Sequence, residues 1–252
     1  MGKLVVFNLV LIALIAGGLC LIRKYAKTDR TKNIILLVAA ASTILLHYST
    51  LFFKLFAEDD AFAYLRQAPN LLLPIYPCNV VMWCALLFAC LKNKRSKFGM
   101  LLSDYLFWFG IISTLVGMFA NVDFINNPTL ADYANFKSIT AHATLLFNIL
   151  LLPLFGYNKI QVKRNMVHMV ISIFAMAVIG CYCNLIFHVV GSEELAYEIN
   201  AMFLIHSPFA GARFLIYPVI ALCAIPIYFA IFAICDLCVH KAGERFFDRK
   251  KV

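Results

Sequence analysis

Two side chains suited to acyl chemistry stand in apolar surroundings in this sequence: the thiol of Cys78, in "LPIYPCNV", and the imidazole of His142, in "FKSITAHATLLFN". An imidazole can take a thiol proton, the thiolate can attack an ester carbonyl, and a thioester can hold the acyl group until an alcohol or water accepts it. Neither residue signals this alone, because a free cysteine commonly behaves as a small buried hydrophobe, and nine cysteines and six histidines offer many pairings. The neighbourhood of Cys78 sets it apart. Pro74 and Pro77 have no backbone N–H and disturb a helix just ahead of the thiol, and Asn79 brings a carboxamide that can donate to a carbonyl oxygen. Competing machinery is missing from the sequence: there is no G-x-S-x-G serine elbow, no H-E-x-x-H zinc helix and no phosphate-binding glycine loop.

The elements that must position these groups are membrane helices. Of 252 residues 63% are hydrophobic, and the mean hydropathy of +0.86 is far above what a soluble core requires. A hydrocarbon layer of about 30 Å takes roughly 20 apolar residues per helix. Seven such runs can be marked, at 4–22, 34–56, 71–91, 99–120, 136–156, 166–190 and 214–237. They fill most of the chain with short connections, so the expectation is an all-α, polytopic membrane bundle of about seven transmembrane helices, forming a single integral membrane domain over residues 1–252. The first run exceeds the usual apolar stretch of a secretion signal and ends at Arg23-Lys24 without a small-residue cleavage site, so it reads as a retained helix.

Charge gives the bundle a direction. The net charge is +9, and most of the 22 Lys and Arg residues fall after odd-numbered runs: Arg23 to Lys32, Lys92 to Lys97, Lys159 to Arg164 and Lys241 to Lys251. Acidic residues such as Glu58, Asp59, Asp123, Asp132 and Glu193 fall in the alternate loops. By the positive-inside rule the basic side is cytoplasmic, with the N-terminus outside and the C-terminus inside a cell membrane. The basic surplus then implies anionic lipid headgroups at the cytoplasmic face as partners, and not nucleic acid. All nine cysteines lie in or at the ends of apolar runs, away from outer loops where an exported disulfide belongs. The pair Cys235-x-x-Cys238 fits packing or acylation rather than a metal site. No metal and no cofactor is expected, and the oligomeric state is not legible.

With that topology each polar residue acquires a depth. Cys78, His142 and Asn184 come out about 10 Å below the outer boundary and His47 about 13 Å below it, at roughly 1.5 Å per residue, with Asn8 near the same level. Polar side chains in hydrocarbon face the bundle interior, where they bond across helices or do chemistry. Asn8 reads as interhelical glue and His47 as a packing histidine. The outer loop "EINAMFLIHSPFAGAR" fits either a lid on the membrane surface or a segment folded over the bundle.

The stretch "LPIYPCNV" resembles the "L-P-x-H-x-C-[SN]" motif of the YwaF-like integral membrane proteins, and a histidine follows in the fifth run here as there. The sequence around Asn184, "CNLIFHVVGSEELAYEINAMFL", is similar to the same family's "N-x-L-x-G-x-N-Y-x-x-L" region. The resemblance covers roughly residues 34–237. It implies a seven-helix fold related to cysteine-dependent membrane phospholipid acyltransferases, with Cys78 as acyl-carrying nucleophile and His142 as general base or acid. One position departs: the histidine two residues before the cysteine is Tyr76 here, which bears on donor specificity and on activity itself. Asn79, Tyr76, Asn184 and His47 are the expected substrate-side residues, and membrane lipids the expected substrates. The alternatives are an intramembrane lipid-ester hydrolase, with water as acceptor, and a transporter or lipid-binding protein without covalent chemistry.

Overall fold

A computed structural model describes residues 2–57, 71, 73–120, 124, 128–190, 200–205, 207, 213–214, 216–241 and 244–246. Among them are seven α-helices: α1 (Gly2–Tyr25), α2 (Asp29–Ala57), α3 (Pro77–Cys90), α4 (Lys97–Phe119), α5 (Tyr133–Leu154), α6 (Val162–Val190) and α7 (Tyr217–Val239). A 3-10 turn at Ala201–Phe203 lies between the last two. The described residues contain no strand, and every helix except α3 is long and apolar enough to cross a membrane. A helix satisfies each backbone group within its own segment, which hydrocarbon demands. The protein is a polytopic helical membrane bundle.

The third run departs from the others. Its helix begins six residues later than the apolar stretch and has 14 residues, about 21 Å, while residues 74–76 are non-helical. Proline accounts for this. Pro77 sits at the first helical position, where a missing N–H costs nothing, and each proline biases the residue before it away from helix. At the other end Lys94 folds back, its Nζ donating to the carbonyls of Ala89 and Leu91 at 2.9 Å each. The neighbouring α4 begins at an N-cap, where Ser96 Oγ accepts from the Gly99 amide at 3.1 Å. Gly99 must be glycine, because a Cβ there would collide with the Lys94 carbonyl.

The described residues group into two compact units. One is drawn from Met1–Leu73 and Pro77–Asn158. Within it, Gly110 faces Ile149 and Gly117 faces His142, so α4 and α5 run antiparallel. The Phe7 and Phe136 rings lie 5.9 Å apart and Gly18 lies against Phe147, so α1 runs parallel to α5. That is the alternation a membrane-crossing chain requires. Asn8, fully buried, donates from Nδ2 to the Met118 carbonyl at 2.7 Å and ties α1 to α4. Asp104 is buried too, accepting from Asn158 Nδ2 at 2.9 Å.

The second unit comprises Pro74–Tyr76 and Lys159–Val252. Here α7 is held to α6 where Tyr217 donates its hydroxyl to the Ile173 carbonyl at 2.6 Å. Asn184 on α6 grips the 3-10 turn with both ends of its carboxamide, donating to the Ala201 carbonyl at 3.2 Å and accepting from the Ala201 amide at 2.9 Å. The next amide, Met202 N–H, donates to the Ile75 carbonyl at 2.9 Å. The turn is tight, with Met202 and Phe203 at φ of 55° and 57°. Gly180 gives it room: a Cβ there would stand 2.6 Å from Leu204 and 2.9 Å from Met202.

Candidate active site

Cys78 is the second residue of α3, half-buried, in a turn whose backbone N–H groups have no helical acceptor. First-turn amides, which lack an acceptor within their own helix, and the positive end of the helix dipole favour negative charge close by, whether on sulfur or on an attacked carbonyl oxygen. The Asn79 side chain is buried against the bundle beside them. The proline break thus leaves a helix end, and not a helix middle, at the thiol.

His142 is held from two directions. Its Nδ1 lies 2.7 Å from the carbonyl of Ser138, one turn earlier on α5. A carbonyl only accepts, so Nδ1 carries a proton, and a neutral ring then has its lone pair on Nε2. The Nε2 and Cδ2 edge lies over Gly117 of α4, so closely that any side chain at 117 would overlap the ring. Glycine at this position creates the slot in which the imidazole sits.

The helices that carry the two residues both pack on α4. Three helices meet at Gly110, where an added Cβ would be 2.6 Å from Ile149 on α5 and 3.2 Å from Val81 on α3. From that level Gly117 is seven residues outward along α4, about 10.5 Å, and Cys78 is three residues outward from Val81, about 4.5 Å. Cys78 therefore stands about 6 Å inward of the imidazole, measured along the helix axes.

The remaining expected residues divide between the two units. In the first, the His47 ring meets Tyr48 edge-on at 5.0 Å, and Tyr48 lies 6.1 Å from Trp83 on α3, so His47 joins an aromatic cluster linking α2 to the helix of Cys78. In the second, Tyr76 is 43% exposed with its ring 6.2 Å from Phe203, and Asn184 clasps Ala201. Buried Ala201 and Met202 show that this part of the outer loop is folded into its unit; Glu198 and His206 lie outside the described residues. Among the described residues no group of His, Cys, Asp and Glu could hold a metal ion. Gly110 and Gly117 escaped the sequence reading, although two glycines seven apart in an apolar helix mark one close-packed face.

No curated protein and no solved structure matches this chain. The sequence pattern of the TMEM164 family matches residues 2–236, from α1 to the last turn of α7, and the chain belongs to the TMEM164 family.

Proposed function

We propose that this protein is a membrane acyltransferase that moves a fatty acyl chain from a lipid ester to an acceptor alcohol through a thioester on Cys78. What supports the reading is a thiol in the first turn of α3 and an imidazole on α5, two helices that both pack on α4, with the imidazole held at Nδ1 by Ser138 and seated on Gly117. The resemblance of "LPIYPCNV" to the YwaF-like motif supports the same reading.

The reaction proceeds in two balanced halves. His142 Nε2 takes the thiol proton, and the sulfur attacks the ester carbonyl to give a tetrahedral oxyanion that the first-turn amides of α3 receive. The intermediate collapses, the carbon–oxygen ester bond breaks, and the leaving alkoxide takes the proton from Nε2. In the second half Nε2 deprotonates the acceptor alcohol, whose oxygen attacks the thioester, and the departing thiolate recovers the proton. Water in place of the alcohol turns the same site into a hydrolase. Membrane lipids supply both donor and acceptor, and every proton is handled by the chain's own side chains.

Purified protein incubated with acyl-labelled phospholipid is expected to carry a hydroxylamine-sensitive label on Cys78. Cys78→Ala removes the label and His142→Gln slows its appearance about 10²- to 10⁴-fold. Equal labelling of Cys78→Ala would exclude the mechanism, and free fatty acid as sole product would make the protein a hydrolase.

A further inference from the structure

A cavity of about 280 Å³ opens at the basic, cytoplasmic ends of α2 and α3, entirely within the first unit. Three cations form its wall: Lys92, Lys94 and Arg95. The one carboxylate there, Asp29, already faces Lys32 at 3.6 Å. Neutral donors complete the lining. Asn33 contributes a carboxamide, Tyr157 a hydroxyl, and Asn93 an NH₂ group whose carbonyl end is already taken by the Arg95 amide at 3.1 Å.

Lys94 makes this more than a charged surface. Its side chain is buried at 7% exposure, and its ammonium lies 5.9 Å over the Phe88 ring, which Tyr157 meets edge-on at 5.6 Å. Two of its three hydrogens go to the Ala89 and Leu91 carbonyls, leaving a third donor on a cation that is fixed in place. Desolvation holds its proton affinity below the ordinary lysine range, against a smaller opposing pull from Cys90. An anion at this wall reverses that penalty.

We propose that this cavity binds a phosphate group, the shared chemistry of an anionic lipid headgroup and of free phosphate. The volume equals that of roughly nine waters at about 30 Å³ each, room for a phosphate and its ester substituent but not for acyl chains. Lysine as a point charge and arginine as a planar fork both match phosphate oxygens, and the opening lies on the side where anionic headgroups gather. The site stands apart from Cys78 and does not depend on the acyl-transfer reading.

The test titrates the full chain, in neutral detergent, with dioctanoyl phosphatidic acid, dioctanoylglycerol and inorganic phosphate. Lys92→Gln/Arg95→Gln is expected to weaken phosphatidic acid binding at least about tenfold. Arg23→Gln/Lys24→Gln removes the same charge from exposed positions on the same side and is expected to cost less than about threefold, because diffuse attraction counts charges without regard to place. Both pairs leave Lys94 and its carbonyl bonds intact. Displacement by inorganic phosphate identifies free phosphate as a sufficient ligand; binding that phosphate does not displace identifies the lipid headgroup. Equal weakening by the two pairs, or dioctanoylglycerol binding as tightly as phosphatidic acid, overturns the proposal.

Discussion

Gly117 on α4 and Gly180 on α6 each lie in a membrane helix, and each leaves a space that a neighbour fills, but the neighbours differ in kind. Against Gly117 lies the imidazole of His142, whose Nδ1 the Ser138 carbonyl holds. Against Gly180 lie Met202 and Leu204, side chains of a turn that Asn184 fastens through both ends of its carboxamide. Both regions place polar atoms within apolar helices. What separates them is the chemistry of the group that is held: Asn184 fastens a turn with a carboxamide that exchanges no proton near neutral pH, whereas the Ser138 carbonyl orients an imidazole, which can take and give one.

The largest effect that would sharpen this contrast is at His142. His142→Gln keeps a polar side chain of similar reach but removes the base, and the acyl-transfer rate is expected to fall about 10²- to 10⁴-fold with little change in thermal stability. Gly117→Ala comes next. In an open helix this change stabilises by up to about 1 kcal/mol, so a net loss reports the collision itself. Here the new methyl must push the ring aside, at a cost of about 1–3 kcal/mol for overpacking. Displacing the base by about 1 Å slows transfer on the order of 10²-fold. Turnover and thermal unfolding measured on the same preparation check both parts. Unchanged turnover in Gly117→Ala would detach the imidazole from the chemistry.

Gly180→Ala should invert that pattern. Its methyl meets Met202 and Leu204 rather than a reactive ring, so the expectation is a stability loss of about 1–3 kcal/mol, seen as a lower unfolding midpoint in detergent. The variant that remains folded is expected to keep chemistry at the acyl-transfer step close to the parent, measured as single-turnover label transfer. A loss as large as that in Gly117→Ala would erase the distinction between the two glycines.

Much of this architecture was readable from apolar run lengths, because a chain in hydrocarbon has few choices beyond helix. Arg23-Lys24 fall in the last turn of α1, Lys92 lies two residues beyond α3 and Lys159 five residues beyond α5, so the basic residues that close the apolar runs lie near the helix ends. The third run was read too long because hydropathy counts side chains, whereas the helix start at Pro77 is set by a missing N–H and by backbone sterics. The prolines carried the signal, in a different variable. Depth placed Cys78 and His142 in one outer layer, and the register through Gly110 and Gly117 separates them by about 6 Å along the axes. No periodicity in α4 or α5 alone reveals that Gly117 faces His142, since that pairing belongs to two helices and to the volume of a ring. The clasp of Asn184 on Ala201 was equally hidden, because it depends on the path of a non-periodic loop.

The smallest effect is expected where a glycine has no neighbour to answer to. Gly17 on α1 has nothing within 4 Å of where a Cβ would be, and α1 exposes Leu14 and Leu21 at 66% and 61%. An apolar helix surface of this kind suits a hydrocarbon surrounding. Gly17→Ala therefore adds a methyl to a lipid-facing helix, and its whole effect is the propensity gain, at most about 1 kcal/mol toward stability. Next to it, a Cβ on Gly18 would stand 3.3 Å from the Phe147 ring, so the same substitution there must also shift that ring by a few tenths of an ångström. A higher or unchanged unfolding midpoint for Gly17→Ala, beside a lower one for Gly18→Ala, would tie each glycine's worth to the atoms facing it. If both fell alike, glycine would be serving α1 through backbone flexibility, and the same explanation would then have to be tested at Gly117.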